Sequence, residues 1–114
     1  MRDILHIKDL FRLLDYEIQN IDQVNGEVFN VGGGRKISVS LKELTGLCRE
    51  HTGKTIRINK INKNRPADVR IYLTDNTKVT KMTGWTPTIG VNDIIDEITE
   101  WIKNNEKKLE GILT

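Results

Sequence analysis

Cysteine, aromatic residues and long apolar runs are scarce in this sequence, and each shortage removes a class of protein. Cys48 is the single cysteine among 114 residues. No internal disulfide can form, which suits a reducing compartment. Cys48 and His51 have a spacing seen in metal sites, but two ligands are too few for a structural zinc, and Cys48 reads as a core residue beside Leu41 and Leu44. Aromatics make up 5% of the chain, and none lies between Lys54 and Pro66, where basic residues are densest. The stacking platforms of a single-strand nucleic-acid binder are therefore missing there, and no helix-turn-helix or zinc-finger spacing occurs. The opening MRDILHIKDLFRLL is broken by charges, unlike the apolar core of a signal peptide, and no stretch is long and apolar enough to span a bilayer. These absences predict a cytoplasmic protein with no membrane or nucleic-acid partner. Two catalytic signatures are also missing. There is no Gly-x-Gly-x-x-Gly fingerprint, and neither Tyr16 nor Tyr72 is followed four residues on by lysine.

What is present is an ordinary globular composition. Apolar residues are 37% of the chain and the net charge is +2, enough for the modest core of one domain. The charge is unevenly spread. Lys54, Arg57, Lys60, Lys63, Arg65 and Arg70 face only Asp68 in their stretch, whereas the segment after Gly90 is acidic. A basic middle suggests an anionic partner. The pattern predicts strands at RDILHI, EVFNV, TIRI and VRIYL. It predicts a first helix over DLFRLLDYEIQN, with Asp9 as N-cap and Leu10, Phe11, Leu14 and Ile18 on its apolar face. Ser40 and Glu43 form a capping box for a second helix that carries Leu41, Leu44, Leu47 and Cys48 inward and stops near Gly53. Asp75 opens a third, ending near Gly84. A fourth follows Gly90, with Ile94, Ile95, Ile98, Trp101 and Ile102 as its stripe. The first strand, helix and strand could form one right-handed parallel crossover.

Two short stretches carry candidate chemistry. VGGGR, from Val31 to Arg35, lies between a strand and a helix. Ile37 stands where the third glycine of a dinucleotide loop belongs, so a tight turn outweighs a phosphate loop. KNRPADVRIYLTDN joins Arg65, a proline-stiffened turn and Asp68. Arginine offers a planar fork of donors matched to phosphate, so Arg2 and Arg65 converging on one site would suit a diphosphate. Asp68 could accept two hydrogen bonds from a cis-diol such as ribose. On chemistry alone, ordinary surface charges remain the alternative.

In order and spacing, RDILHIKDL, GEVFNVGGG, SVSLKELTGLC, RPADVRIYLTD and TGWTPTIGVNDIIDEITEWI resemble the C-terminal portion of NAD-dependent nucleotide-sugar epimerases and dehydratases. These are extended short-chain dehydrogenases/reductases. NVGGGRKISVSLKELTGLCREHTGK is most similar to the CDP-tyvelose (CDP-paratose) 2-epimerase branch. The resemblance implies an α/β fragment: a strand-helix-strand remnant of a Rossmann-like parallel sheet over residues 1–34 and a small α+β substrate-binding portion over residues 35–114. It implies that Arg2 and Arg65 contact a nucleotide-sugar diphosphate and Asp68 the ribose. Ala67 replaces the family's usual glycine, which would strain the turn if that position needs positive φ. The family's NAD fingerprint and Tyr-x-x-x-Lys pair do not occur here, so the expectation is a chain with no cofactor of its own and no catalysis alone. The alternative is a standalone nucleotide-binding or protein-interaction module. The expected partner, besides a nucleotide sugar, is a second copy of the chain or a missing N-terminal half, meeting strands left at a sheet edge.

Overall fold

The computed structural model describes residues 1–61, 63 and 66–112. It is a mixed α/β arrangement of β1 (Arg2–Asp3), α1 (Ile7–Gln19), α2 (Ile21–Val24), β2 (Ser38–Val39), α3 (Leu41–Thr52), α4 (Thr77–Thr83) and α5 (Val91–Leu109). A 3₁₀ turn, Arg35–Ile37, leads into β2.

The helices fall close to where their sequence signals put them. Ser40 and Glu43 form the expected capping box on α3, and Gly53 closes that helix in the left-handed conformation at φ 67°. Gly84 does the same for α4 at φ 73°. Asp75 acts just before α4, accepting hydrogen bonds from the Thr77 amide and hydroxyl at 2.9 and 2.5 Å.

At the start of α1 the roles are exchanged. His6, not Asp9, is the N-cap, with its Nδ1 accepting from the Lys8 amide at 3.0 Å. This cuts the expected first strand short. Asp9 is instead fully buried, and the buried apolar residue of α1 is Leu13. Phe11, Leu14 and Ile18, expected inside, are exposed. Helical periodicity places such residues on one stripe but does not say which stripe meets the core. Likewise Leu41 and Cys48 are exposed, α3 has no buried residue, and only the Ile94–Ile95 end of the α5 stripe is buried.

The strands differ most. β1 and β2 pair antiparallel, with Arg2 opposite Val39 and Asp3 opposite Ser38. Tyr72, from VRIYL, adds one parallel bridge to Arg2. TIRI and EVFNV join no ladder, and the expected parallel crossover does not close among the described residues. A strand needs a neighbour for its backbone groups. None of the described residues bonds the amides of Val28, Phe29, Asn30 or Val31. Phe29 and Val31 still turn inward, onto a small core of Leu13, Val79 and Trp85 with Leu5.

The result is open. Its accessible surface is 9411 Å², whereas a compact chain of this length exposes roughly 6,400 Å². The radius of gyration, 17.6 Å, exceeds the roughly 13 Å of a compact domain. Ile56, Ile58, Ile61, Val69 and Ile71 all contribute to the excess.

Candidate functional site

Two of the three residues singled out in the sequence meet. β1 delivers Arg2, and the turn after Pro66 delivers Asp68. The guanidinium Nη2 lies 3.8 Å from the Asp68 carboxylate, and both side chains are about half exposed. Arg65 lies outside the described residues. The pairing is locked through the backbone, since the amino group of Met1 donates to the Arg70 carbonyl at 2.8 Å and the Tyr72 amide donates to the Met1 carbonyl at 3.1 Å. Arg2 Nη1 also donates to the Met1 carbonyl at 2.9 Å. Between these residues and the head of α3 opens a cleft of about 340 Å³. Arg2, Asp68 and Arg70 supply its polar rim, and Ile4, Val39, Leu41, Leu44 and Val69 its apolar lining. Leu41 and Leu44 were read from the sequence as core residues; instead they line this cleft. Helical spacing cannot separate a residue facing a core from one facing a cleft.

Ala67 adopts φ 63°. The position does require the left-handed region, and alanine pays a steric penalty there that glycine avoids.

The glycine loop behaves as a tight turn. The Gly32 amide donates to Asn76 Oδ1 at 3.1 Å, and Asn76 Nδ2 returns a bond to the Gly32 carbonyl at 2.8 Å. The Gly34 amide donates to Asp3 Oδ2 at 2.9 Å, and the Thr74 amide reaches the same oxygen at 3.2 Å. The Gly32 and Gly34 amides, held by side chains, are not offered to a phosphate. A Cβ on Gly33 would sit 2.0 Å from the Ile4 carbonyl oxygen, so the backbones touch only because that residue is glycine. Burial opposes ionisation of Asp3, but the bonds from Thr74 and Gly34 outweigh it and hold its carboxyl below the usual aspartate value. Asp3 thus ties β1, the glycine loop and the approach to α4 together beside Arg2. No local signal distinguished it from any other surface acid.

Among the described residues, no group of three or more His, Cys, Asp or Glu could hold a metal. His51 bonds Asp96 of α5 instead.

The family model described as GDP-mannose 4,6 dehydratase matches residues 1–98. This chain belongs to the NAD-dependent nucleotide-sugar epimerase/dehydratase family. Among its relatives, the CDP-paratose 2-epimerase of Salmonella typhi is 29% identical over 101 residues, covering 89% of this chain and 30% of that protein. The putative GDP-L-fucose synthase 2 of Arabidopsis thaliana is 32% identical over 106 residues, or 92% of this chain and 30% of that protein. A UDP-glucuronate 4-epimerase from Thermodesulfobacterium geofontis is 25% identical over 111 residues, or 97% and 33%. The chain thus spans about a third of the length of these curated relatives. No helix among its described residues is long and apolar enough to cross a membrane.

Proposed function

We propose that this chain is the nucleotide-sugar-binding portion of an NAD-dependent epimerase/dehydratase and carries no hydride chemistry by itself. The observation that carries the reading is the Arg2–Asp68 pair at the rim of an apolar cleft. In this reading Arg2 and Arg65 grip the diphosphate as charge-assisted donors. Asp68 accepts from the ribose hydroxyls, and the face of Val39, Leu41 and Leu44 receives the flat base. Arg2 and Asp68 are 3.8 Å apart, so an entering phosphate would trade their ion pair for its own contact with Arg2. The glycine loop, with its Gly32 and Gly34 amides engaged by Asn76 and Asp3, is a poor cradle for NAD. We therefore assign the cofactor site and the Tyr-x-x-x-Lys pair to a polypeptide portion outside this chain.

Titration of CDP and UDP into isotope-labelled protein tests this. Amide shifts should gather at Arg2, Val39, Ser40, Asp68 and Val69, and added salt should weaken them, because exposed charges are screened. Arg2→Ala should remove them. Calorimetry should find no saturable binding of NAD. Unmoved amides at the cleft under excess CDP and UDP would overturn the assignment.

A further inference from the structure

We propose that the cleft between the glycine loop and α4 is an anion site that takes the phosphate group of a small molecule. The inference stands apart from the nucleotide reading, since this cleft shares no lining residue with the one beside Arg2. It measures about 570 Å³, and its charged lining residues are Arg35, Lys36, Asp75 and Lys81. Bonds within this chain set its walls. Asn76, at the head of α4, exchanges two hydrogen bonds with Gly32, at 3.1 and 2.8 Å, which fix the helix against the glycine loop. The Gly34 amide is held by Asp3, and the Ser38 hydroxyl donates to the Arg35 carbonyl at 2.8 Å, so the 3₁₀ turn that carries Arg35 and Lys36 is held at both ends. Thr86 and Pro87 close the third side, where Arg12 of α1 donates to the Thr86 carbonyl at 3.0 Å. A frame fixed before binding loses little freedom when a ligand enters.

With the Gly32 and Gly34 amides engaged, recognition falls to side chains. Arg35, Lys36 and Lys81 are exposed, and among the described residues none of the three makes an ion pair or a side-chain hydrogen bond. Lys78 of the same helix differs, being engaged by Glu27 at 2.6 Å and by the Val28 carbonyl at 3.0 Å. Asp75, the acid in the lining, is occupied by the Thr77 amide and hydroxyl, and Lys81 acts on it through space without an ion pair. The lining is left with a surplus of two positive charges. A phosphate monoester carries about −1.5 to −2 at neutral pH, which matches that surplus; a carboxylate would leave half of it uncovered. The guanidinium fork of Arg35 fits phosphate oxygens two at a time. The Thr86 hydroxyl, which bonds no other group among the described residues, can donate as well. No aromatic side chain lines the cleft, so it has no platform on which a base could stack. That favours a small phosphorylated molecule over a nucleic acid.

Titration of inorganic phosphate and of glycerol phosphate into the isotope-labelled whole chain tests the proposal. The amides of Gly33, Gly34, Arg35, Lys36 and Lys81 should shift together, with a midpoint of about a millimolar because the cations are exposed and screened. Arg2→Ala, which removes the guanidinium of the other cleft, should leave these shifts in place. Arg35→Ala and Lys81→Ala together should raise the midpoint about tenfold or more, since each removes a charge-assisted donor, with unchanged circular dichroism. Tighter binding of glycerol phosphate than of inorganic phosphate assigns the site to a phosphorylated metabolite, and equal binding assigns it to phosphate itself. Shifts that chloride reproduces at the same ionic strength would overturn the proposal and reduce the three cations to ordinary solvated charges. Cleft amides that stay still in excess of both probes would overturn it too, leaving the cations to an acidic surface of another polypeptide.

Discussion

Asp9→Ala should cost more stability than removal of an ordinary surface carboxylate. Asp9 is 0% exposed. Its Oδ2 accepts from the amides of Thr88 and Ile89 at 3.0 and 2.9 Å. Its Oδ1 accepts from Arg12 Nη2 at 2.6 Å and from the Thr88 hydroxyl at 3.0 Å. The carboxylate therefore fastens α1 to the segment that leads into α5. Truncation strands two backbone amides at about 1–3 kcal/mol each, so roughly 4 kcal/mol should be lost from a total that for a domain is about 5–15 kcal/mol. Asp9→Asn should cost less. With its oxygen at the Oδ2 position it keeps both amides; its Nδ2 no longer accepts from Arg12, at about 1.5–3 kcal/mol, and the Thr88 hydroxyl must turn from donor to acceptor. Burial opposes ionisation of Asp9, but the bonds from Arg12, Ile89 and Thr88 outweigh it, so its pKa lies below the usual 3.8. The sign follows. Between the folded and unfolded pKa values the unfolded chain binds more protons, so the stabilisation is complete above the ordinary aspartate range and is lost as pH falls through the folded value. Urea unfolding followed by circular dichroism, at neutral pH and stepwise into acid, measures both effects. Wild type should weaken in acid more steeply than Asp9→Asn, with Asp3, Glu43, Asp75 and Glu97, whose carboxyls are also held below their usual values, supplying the slope that remains. A loss below about 1 kcal/mol in Asp9→Ala, less than one stranded amide costs, would refute the reasoning. So would identical acid profiles for wild type and Asp9→Asn.

Two further substitutions test the backbone. Ala67→Gly should stabilise the fold by about 0.5 kcal/mol, since relief of the left-handed strain at φ 63° exceeds the entropy that glycine adds to the unfolded chain; a lowered melting temperature would contradict it. Gly33→Ala should cost about 3 kcal/mol or more, because its Cβ would meet the carbonyl oxygens of Ile4 and Ile37, at 2.0 and 2.8 Å, which belong to the backbone and cannot swing away. Near wild-type unfolding of that variant in urea would show that the loop relaxes.

The sequence by itself determined what depends on near neighbours. The Ser40–Glu43 box, the glycine stops at Gly53 and Gly84, and the Asp75 turn each join residues two to four apart, so their chemistry was legible as pattern. The resemblance marked Ala67 as standing where the family usually has glycine, and strain there was conditional on positive φ; the geometry, at φ 63°, supplied that condition. The Arg2–Asp68 pairing was legible only through resemblance, because 66 positions of chain separate two ordinary charges and nothing between them encodes the meeting. Tertiary structure decided the rest. It chose Leu13 over Phe11, Leu14 and Ile18 as the buried side of α1, and it turned Asp9 from a presumed cap into a buried fastener of Thr88 and Ile89. It also left TIRI and EVFNV without ladders, although their residues suit strands. The physical reason is common to all three. A helix can satisfy its backbone within itself, and a strand cannot; which face is buried, and whether a strand forms, depends on what arrives from far along the chain or from another one.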